Sequence, residues 1–205
     1  FMQKQERTKR MRMRARAHLA DRLAVCANLT LDKFGAEEDF FSSGAPLYIE
    51  IGCGKGGFIL QNAVLHPEIN YIAIEKVANV CVLAMEKAAA AGVGNLRFMV
   101  GNFADLSLDF PDKSVDCIFL NFSDPWPKKG YARRRLTHGG FLSIYKRILK
   151  PGGRIFFKTD NRALFDFSLE SFPENGFSVS DVTYDLHKSG FEGVPICRLC
   201  AQLTE

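Results

Sequence analysis

The segment with the clearest chemical potential is a run of glycines after a short apolar stretch. Residues 50–57 read E-I-G-C-G-K-G-G. Glycine lets the backbone turn tightly and approach a ligand without a Cβ in the way. Gly52, Gly54 and Gly57 satisfy the dinucleotide pattern G-x-G-x-x-G, and they fit equally the E/D-x-G-x-G loop that binds S-adenosylmethionine. A P-loop is excluded because no G-K-[S/T] follows.

Two polar residues at the ends of later apolar runs could contact the same ligand. Glu75 lies 23 residues after Gly52, and a carboxylate there can accept hydrogen bonds from both hydroxyls of a ribose. NAD and S-adenosylmethionine share that ribose, so Glu75 does not separate them. The amide of Asn102 could read an adenine edge, and a role as a turn former is an equal alternative.

The most informative segment is N-F-S-D-P-W-P-K at residues 121–128. A proline disfavours helix in the residue before it, so we expect Asp124 and Trp126 to be extended and the loop to be stiff. A fixed carboxylate suits the N–H groups of a base, and the cations that follow suit phosphates. Trp126, the only tryptophan, is predicted to pack in the core rather than to stack on a base.

Asp160, just beyond another predicted strand, is predicted to cap the next helix rather than to face a substrate.

The pattern of apolar runs predicts the elements that position these residues. Short runs predict strands at Leu47–Ile51, Tyr71–Ile74, Leu96–Val100, Val115–Leu120, Arg154–Lys158, Phe177–Tyr184 and Pro195–Leu199. Longer stretches predict a first helix to about Cys26 and further helices at Gly57–Leu65, Ala78–Ala91, Gly140–Leu149 and Asn161–Phe172. Pro151-Gly152-Gly153 is predicted to stop a helix before the strand at 154. This alternation favours a single α/β domain over residues 1–205, with a mostly parallel sheet and helices on both faces.

Composition and charge narrow the class of partner. The 205 residues are 47% apolar and 24% charged, as in an ordinary globular protein. No apolar run approaches the roughly 18 residues that span a bilayer. The net charge is only +4, yet twelve of the 27 Lys and Arg residues lie within residues 1–16 and 128–135. Such basic patches favour a polyanionic partner, and a solvated face with a basic N-terminal arm is the alternative.

The sequence predicts neither export nor a metal site. The basic N-terminus lacks the apolar segment of a signal peptide, so we expect a cytoplasmic protein whose six cysteines stay reduced. Cys197 and Cys200 form a lone C-x-x-C without the further ligands of a zinc site, and the four histidines are dispersed. The sequence favours neither a monomer nor a homodimer.

Four segments occur in the order found in one enzyme family. They are E-I-G-C-G-K-G-G at 50–57, N-F-S-D-P-W-P-K at 121–128, R-R-L-T at 134–137 and K-T-D-N at 158–161. From about Met11 onward the chain resembles the bacterial tRNA (guanine-N7)-methyltransferases. The resemblance implies a class I methyltransferase fold, with a Rossmann-like, mostly parallel, seven-stranded sheet. It also implies methyl transfer from S-adenosyl-L-methionine to N7 of a guanine in the variable loop of tRNA.

The resemblance further implies roles for individual residues. The cofactor would be held by Glu50, Gly52, Gly54, Glu75, Asn102 and Asp124. Asp124 would also be the catalytic residue. Lys128 and Asp160 would bind the substrate, and RNA would contact Gly130, Tyr131, Arg133, Arg134 and Arg135. Neither a metal nor a membrane is implied.

The chain departs from the family pattern at three places. Gly130-Tyr131 stands where the family has Arg-His, which leaves Tyr131 free to stack on a base, and Asn102 stands at an acidic position. The family's T-E-Y-E motif is absent between Gly193 and Val194. We predict that the printed sequence omits a substrate loop of about a dozen residues at this junction, mobile until substrate binds.

Two other hypotheses stand beside methyl transfer. An NAD-dependent oxidoreductase explains the glycine segment and Glu75, but neither the 121–128 segment nor the basic clusters. A non-catalytic tRNA-binding protein on a methyltransferase scaffold would bind tRNA in a salt-dependent way without transferring a methyl group.

Overall fold

The fold is known from a computed structural model that describes residues 18–33, 44–185 and 197–204. Seven strands, β1 to β7, cover Leu47–Ile51, Asn70–Glu75, Leu96–Val100, Val115–Asn121, Leu149–Thr159, Phe177–Thr183 and Cys197–Leu203. Helices α1 to α6 cover 18–25, Gly57–Leu65, Ala78–Ala91, Phe103–Leu106, Gly139–Ile148 and Arg162–Glu174. Short 3-10 segments lie at Ala27–Leu29, Ser107–Asp109 and Lys129–Arg134. The predictions for the basic arm at 1–16 and for the Gly193–Val194 junction lie outside the described residues.

The strands form one sheet in the order β3-β2-β1-β4-β5-β7-β6. The pairs β1–β2, β2–β3, β1–β4 and β4–β5 are parallel, whereas β7 is antiparallel to both β5 and β6. The expected mostly parallel sheet is therefore confirmed. The chain moves outward from β1 to β3 on one side and continues with β4 on the other. This reversal makes a switch point between β1 and β4, where open α/β sheets bind ligands beyond the carboxyl ends of their strands.

Helices cover both faces of the sheet, as predicted. On one face, α2 and α3 contribute Ile59, Ala63, Cys81, Ala84, Met85 and Ala88 to a buried cluster. On the other face, α5 and α6 contribute Leu142, Tyr145, Ile148, Leu164, Phe165 and Phe172. The inner strands are buried on both sides, which explains why β2 reads as a nearly continuous apolar run.

The prediction for Pro151-Gly152-Gly153 was wrong. Helix α5 ends at Ile148, and these three residues lie inside the long strand β5. The register shifts there, because Val115 of β4 pairs with Leu149 whereas Cys117 pairs with Arg154. Gly152 has a φ of 75°, so the segment forms an irregularity within the strand rather than a separate stop.

The structure also gives the state of the cysteines, the groups that could bind a metal and the helices that could span a membrane. All six cysteines are buried and none is in a disulfide, which agrees with the expectation that they stay reduced. Within the described ranges no group of His, Cys, Asp or Glu side chains could hold a metal ion. In the same part of the chain no helix is long and apolar enough to cross a bilayer.

Candidate active site

Two adjacent cavities lie at the switch point, beyond the carboxyl ends of the parallel strands. The larger has a volume of about 530 Å³ and is lined by residues that include Gly52, Glu75, Lys76, Asn102, Asp124 and Trp126. The smaller has a volume of about 430 Å³ and is lined by residues that include Glu50, Gly54, Phe58, Asn121 and Lys158. Gly52 and Phe122 line both. Together the cavities have the size of a cofactor site.

The glycine segment turns sharply between β1 and α2. Gly52, Gly54 and Gly56 have φ values of 81°, 55° and 71°, a left-handed region that favours glycine. Gly56 is also pressed against α3, because a Cβ placed on it would lie 2.6 Å from Cβ of Ala84. Gly56 thus carries two constraints, although the G-x-G-x-x-G pattern leaves its position unspecified.

Glu75 ties the end of β2 to the glycine segment. It is 8% exposed, and its two carboxylate oxygens accept hydrogen bonds from the backbone N–H groups of Gly54, at 3.0 Å, and Val77, at 2.9 Å. Each oxygen keeps a further lone pair for a ligand. The backbone contacts fix the direction of the carboxylate, which is what a group that must bind two ribose hydroxyls needs.

Glu50 is a buried acid at the floor of the smaller cavity. It is 2% exposed, and its Oε1 accepts a hydrogen bond of 2.8 Å from Nδ2 of Asn121. Burial raises the pKa of the Glu50 carboxyl to about 7, against the opposing effects of the Asn121 hydrogen bond, the backbone N–H of Ile59 and the charge of Lys158. Oε2 of Glu50 and Oδ1 of Asn121 are buried acceptors without a hydrogen-bond partner among the described residues.

These orphaned acceptors are a test of cofactor fit. Buried acceptors without partners are uncommon in folded proteins and cost stability. A ligand with a cationic amino group would satisfy both, and S-adenosyl-L-methionine carries such a group on its amino-acid end. The half-buried ammonium of Lys158, 5.1 Å from the ring centre of Phe58, offers a positive charge to a carboxylate beside it. The residues present therefore fit this cofactor.

Asn102 caps helix α4 and also lines the larger cavity. It is the N-cap residue of α4, with Oδ1 accepting from the N–H of Ala104 at 3.4 Å and Nδ2 donating to Asp105 at 3.2 Å. It also lines the larger cavity, near Glu75. The helix cap holds the amide at the edge of the pocket.

The 121–128 segment differs from its prediction at Trp126. Phe122 and Trp126 have φ values of 53° and 43°, so Trp126 is left-handed rather than extended. The prediction that Trp126 packs in the core was also wrong, because the ring is half-buried and lines the larger cavity. Strained non-glycine residues of this kind persist only where their surroundings fix them, and they concentrate at functional sites.

Asp124 lies between these two strained residues and faces the larger cavity. Its carboxylate is exposed, with 63% of the side chain accessible, and Oδ2 accepts a hydrogen bond of 3.1 Å from Nζ of Lys76. Asp124 and Glu75 thus line one pocket from opposite sides of the switch point. This is the arrangement expected if both serve one cofactor and one substrate.

The side chains of the basic loop after Pro127 have two kinds of environment, one exposed to solvent and one in contact with the protein. Lys128, Lys129, Gly130, Tyr131 and Arg133 are exposed on or beside the 3-10 segment. The Arg134 guanidinium lies 4.9 Å from the ring centre of Trp126 and 4.8 Å from that of Tyr131. Arg135 is turned inward and donates hydrogen bonds to the carbonyl oxygens of Pro125 and Trp126.

Asp160 is not the helix cap that the sequence predicts. The N-cap of α6 is the next residue, Asn161, whose Oδ1 accepts from the N–H of Leu164 at 2.9 Å. Helix α6 begins at Arg162, so the N-cap position falls on Asn161, one residue after Asp160. Asp160 is left exposed at the carboxyl edge of the sheet, outside the residues that line the two cavities.

Several residues of the site escaped the sequence reasoning. Asn121, Lys158 and Phe58 form the smaller cavity with Glu50, and Lys76 contacts Asp124. Asn121 and Lys158 lie within quoted motifs and at the ends of parallel strands, which is the signal that identifies them. For Phe58 and Lys76 the sequence contains no comparable signal.

Comparisons with known proteins find related sequences over most of the chain. Residues 44–193 match the sequence model of a family described as putative methyltransferase. The tRNA (guanine-N(7)-)-methyltransferase of Lactococcus lactis is 44% identical over 182 residues, which cover 87% of this chain and 84% of that protein. The enzyme of the same name from Halalkalibacterium halodurans is 44% identical over 187 residues, with coverage of 89% and 85%.

Solved structures share the fold at lower identity. A SAM-dependent methyltransferase from Aquifex aeolicus aligns with a TM-score of 0.59 and 16% identity, over 88% of this chain and 98% of its own. The antibiotic-resistance methyltransferase Kmr aligns with a TM-score of 0.58 and 18% identity, over 82% and 92%. These likenesses confirm the class I methyltransferase fold expected from the sequence.

Proposed function

The chain belongs to the tRNA (guanine-N(7)-)-methyltransferase family, and we propose that it transfers a methyl group from S-adenosyl-L-methionine to N7 of a guanine in the variable loop of tRNA. The observation that carries the proposal is the position of Asp124. This carboxylate faces the cofactor-sized cavity at the switch point, in a strained loop that continues directly into exposed cations. An oxidoreductase is not supported, because the relatives and the matched family are methyltransferases.

The reaction demands positioning more than proton transfer. S-adenosyl-L-methionine, when bound, supplies a methyl group on a positively charged sulfur. Guanine N7 has a free lone pair, so the chain needs no general base. Its task is to hold the base in line with the methyl group, an effect of proximity and orientation. Among the described residues, none of those that line the two cavities is a histidine, which is consistent with that chemistry.

Asp124 suits the guanine in two respects. A carboxylate offers two acceptor oxygens, which match the adjacent N1–H and N2–H donors of the base. Methylation at N7 also leaves a positive charge on the ring, and an anion fixed beside it stabilises the developing charge. The exposed position of Asp124 at the cavity mouth leaves it accessible to a base that enters from solvent.

The cofactor is assigned to the two cavities. Glu75 and Asn102 line the larger cavity and suit the ribose and adenine parts, while Glu50 and the glycine segment suit the amino-acid part. The basic residues that follow Asp124 in the chain are exposed and suit the phosphates of RNA; they are Lys128, Lys129 and Arg133. Asp160 is also exposed and is proposed to contact the substrate. We propose a cytoplasmic location, because the proposed substrate is tRNA.

The test is methyl transfer from labelled S-adenosyl-L-methionine to an unmodified tRNA transcript, followed by mapping of the modified base. We expect 7-methylguanine in the variable loop. Asp124→Asn keeps the shape of the side chain and is expected to lower kcat/KM on the order of 10²- to 10³-fold. Asp109→Asn, an exposed acid outside both cavities, removes the same charge and serves as the matched control. Binding of tRNA without methyl transfer by the wild type would instead support the non-catalytic hypothesis.

A further inference from the structure

We propose that Arg135 is a positioning residue that holds Asp124 in place, rather than an RNA contact; the catalytic part of this claim rests on the proposed function. Its guanidinium donates from Nε to the carbonyl oxygen of Pro125 at 3.1 Å, and from Nη2 to that of Trp126 at 3.1 Å. It also lies 4.5 Å from the ring centre of Phe167 in α6. These contacts direct its charge into the protein.

The two carbonyl groups that Arg135 binds belong to the residues directly after Asp124. Proline fixes its own φ near −65°, which leaves ψ as the free backbone angle of Pro125, and a hydrogen bond to the Pro125 carbonyl restrains that angle. Trp126 has a φ of 43°, a conformation that residues with side chains rarely adopt without support. Arg135 provides that support through its planar fork of donors, which can reach both carbonyls at once.

The segment that carries Arg135 is itself anchored to α6. The hydroxyl of Thr137 is hydrogen-bonded to that of Ser168 at 2.8 Å, and the hydroxyl of Ser171 donates to the carbonyl oxygen of Thr137 at 2.7 Å. All three residues are buried. A continuous set of contacts therefore runs from α6 through Thr137 and Arg135 to the loop that carries Asp124.

The neighbouring arginines show that the position is specialised. Arg133 is exposed, with no hydrogen bond or ring contact to any described residue, and Arg134 packs on the rings of Trp126 and Tyr131. Among these three arginines, Arg135 alone binds backbone carbonyls of the loop within the described structure. Three adjacent residues of one type thus have three different environments.

Arg135→Lys separates the two roles, because it keeps the positive charge and loses the fork. A positioning residue predicts a fall in kcat on the order of 10- to 100-fold, with KM for tRNA within about threefold of wild type. Arg133→Ala removes a charge without touching the loop, and is expected to raise KM for tRNA. Arg147→Lys is the matched control, because Arg147 also binds two carbonyls, those of Phe110 and Ser107, and none of these three residues lines either cavity.

Trp126 provides a second readout that needs no RNA. As the only tryptophan of the chain, it is the sole source of tryptophan fluorescence, and Arg135 binds its carbonyl. We expect Arg135→Lys to increase the quenching of this fluorescence by acrylamide at least about twofold, because the ring loses its fixed place. Arg147→Lys, at a residue that lines neither cavity, is expected to leave the quenching unchanged.

The outcomes separate this proposal from the proposed function. If Arg135→Lys keeps the wild-type kcat and quenching while Arg135→Ala raises KM for tRNA as Arg133→Ala does, Arg135 is an RNA contact and the proposal is overturned. If the wild type transfers no methyl group to tRNA, the proposed function fails, and the quenching still decides whether Arg135 fixes the loop.

Discussion

Two loops meet at the switch point, and both contain left-handed residues that are stabilised in different ways. After β1 these residues are Gly52, Gly54 and Gly56, whereas after β4 they are Phe122 and Trp126. Glycine adopts the left-handed conformation freely, but in a residue with a side chain this conformation costs about 1–2 kcal/mol of conformational free energy. The first loop is therefore shaped by its own sequence. The second is shaped by contacts with Arg135 and with the carbonyl oxygen of Lys158, which accepts from the N–H of Phe122.

The largest effect is expected at Gly56, where conformation and packing both require glycine. Gly56→Ala is expected to lower the free energy of unfolding by about 2–5 kcal/mol, from the left-handed φ of 71° and the 2.6 Å approach to Cβ of Ala84. Unfolding in urea, monitored by circular dichroism, measures this change in the free energy of unfolding. Ala84→Gly in the same chain removes the clash but not the backbone strain, so it is expected to restore only part of the loss.

Gly94→Ala is the matched control for this prediction. Gly94 has no positive φ, and a Cβ placed on it would meet open space. We expect its stability to stay equal to wild type or to rise by up to about 1 kcal/mol. Equal stabilities for Gly56→Ala and Gly94→Ala would show that the glycine loop, too, depends on its surroundings, and the contrast between the two loops would be lost.

The same contrast explains how far the sequence predicts the molecule. Strand and helix order, the parallel sheet and the roles open to Glu75 follow from local patterns, because apolar periodicity and glycine act over a few residues. The conformation of Trp126 did not follow, since it depends on Arg135 and on the anchoring of Thr137 to α6. The cap of α6 was misplaced by one residue because Asp160 and Asn161 are both good caps, and the local pattern does not fix the start of the helix at Arg162.

A smaller effect is expected from the titration of Glu50, which lies beside the glycine loop. Burial raises the pKa of its carboxyl from 4.5 to about 7. A cationic amino group bound next to it favours the ionised form, so binding at lower pH must first remove a proton. We expect the affinity for S-adenosylhomocysteine to be constant above pH 7 and to fall about tenfold per pH unit below it. Calorimetric titration between pH 5.5 and 8 is the measurement.

Glu50→Gln tests the assignment of that titration, because it removes the proton while keeping the hydrogen-bonding shape. The affinity of Glu50→Gln for S-adenosylhomocysteine is expected to be lower than that of wild type at pH 8 and to lose most of its pH dependence.

The stability of the protein without ligand is expected to change with pH in the opposite direction to the affinity. The unfolded Glu50 ionises first as pH rises from 4.5, so its contribution to stability is lost by about pH 7. Glu50→Gln is therefore expected to be more stable than wild type at pH 8, and a variant with the wild-type pH profile would assign the titration to another group.

The smallest effect is expected at the ion pair between Lys76 and Asp124. Lys76 follows β2 on the side of the glycine loop, and its ammonium pairs with Asp124 at 3.1 Å, with the two side chains 60% and 63% exposed. Pairs this exposed contribute little, because water and salt screen them. Lys76→Gln is expected to change the free energy of unfolding by less than about 0.5 kcal/mol and to leave the acrylamide quenching of Trp126 unchanged. A rise in quenching equal to that of Arg135→Lys would mean that the ion pair, and not the anchoring of the backbone, sets the position of the loop. We expect the opposite, because a hydrogen-bonded guanidinium restricts two carbonyls at once, whereas an exposed ammonium leaves the backbone on either side of Asp124 free to turn.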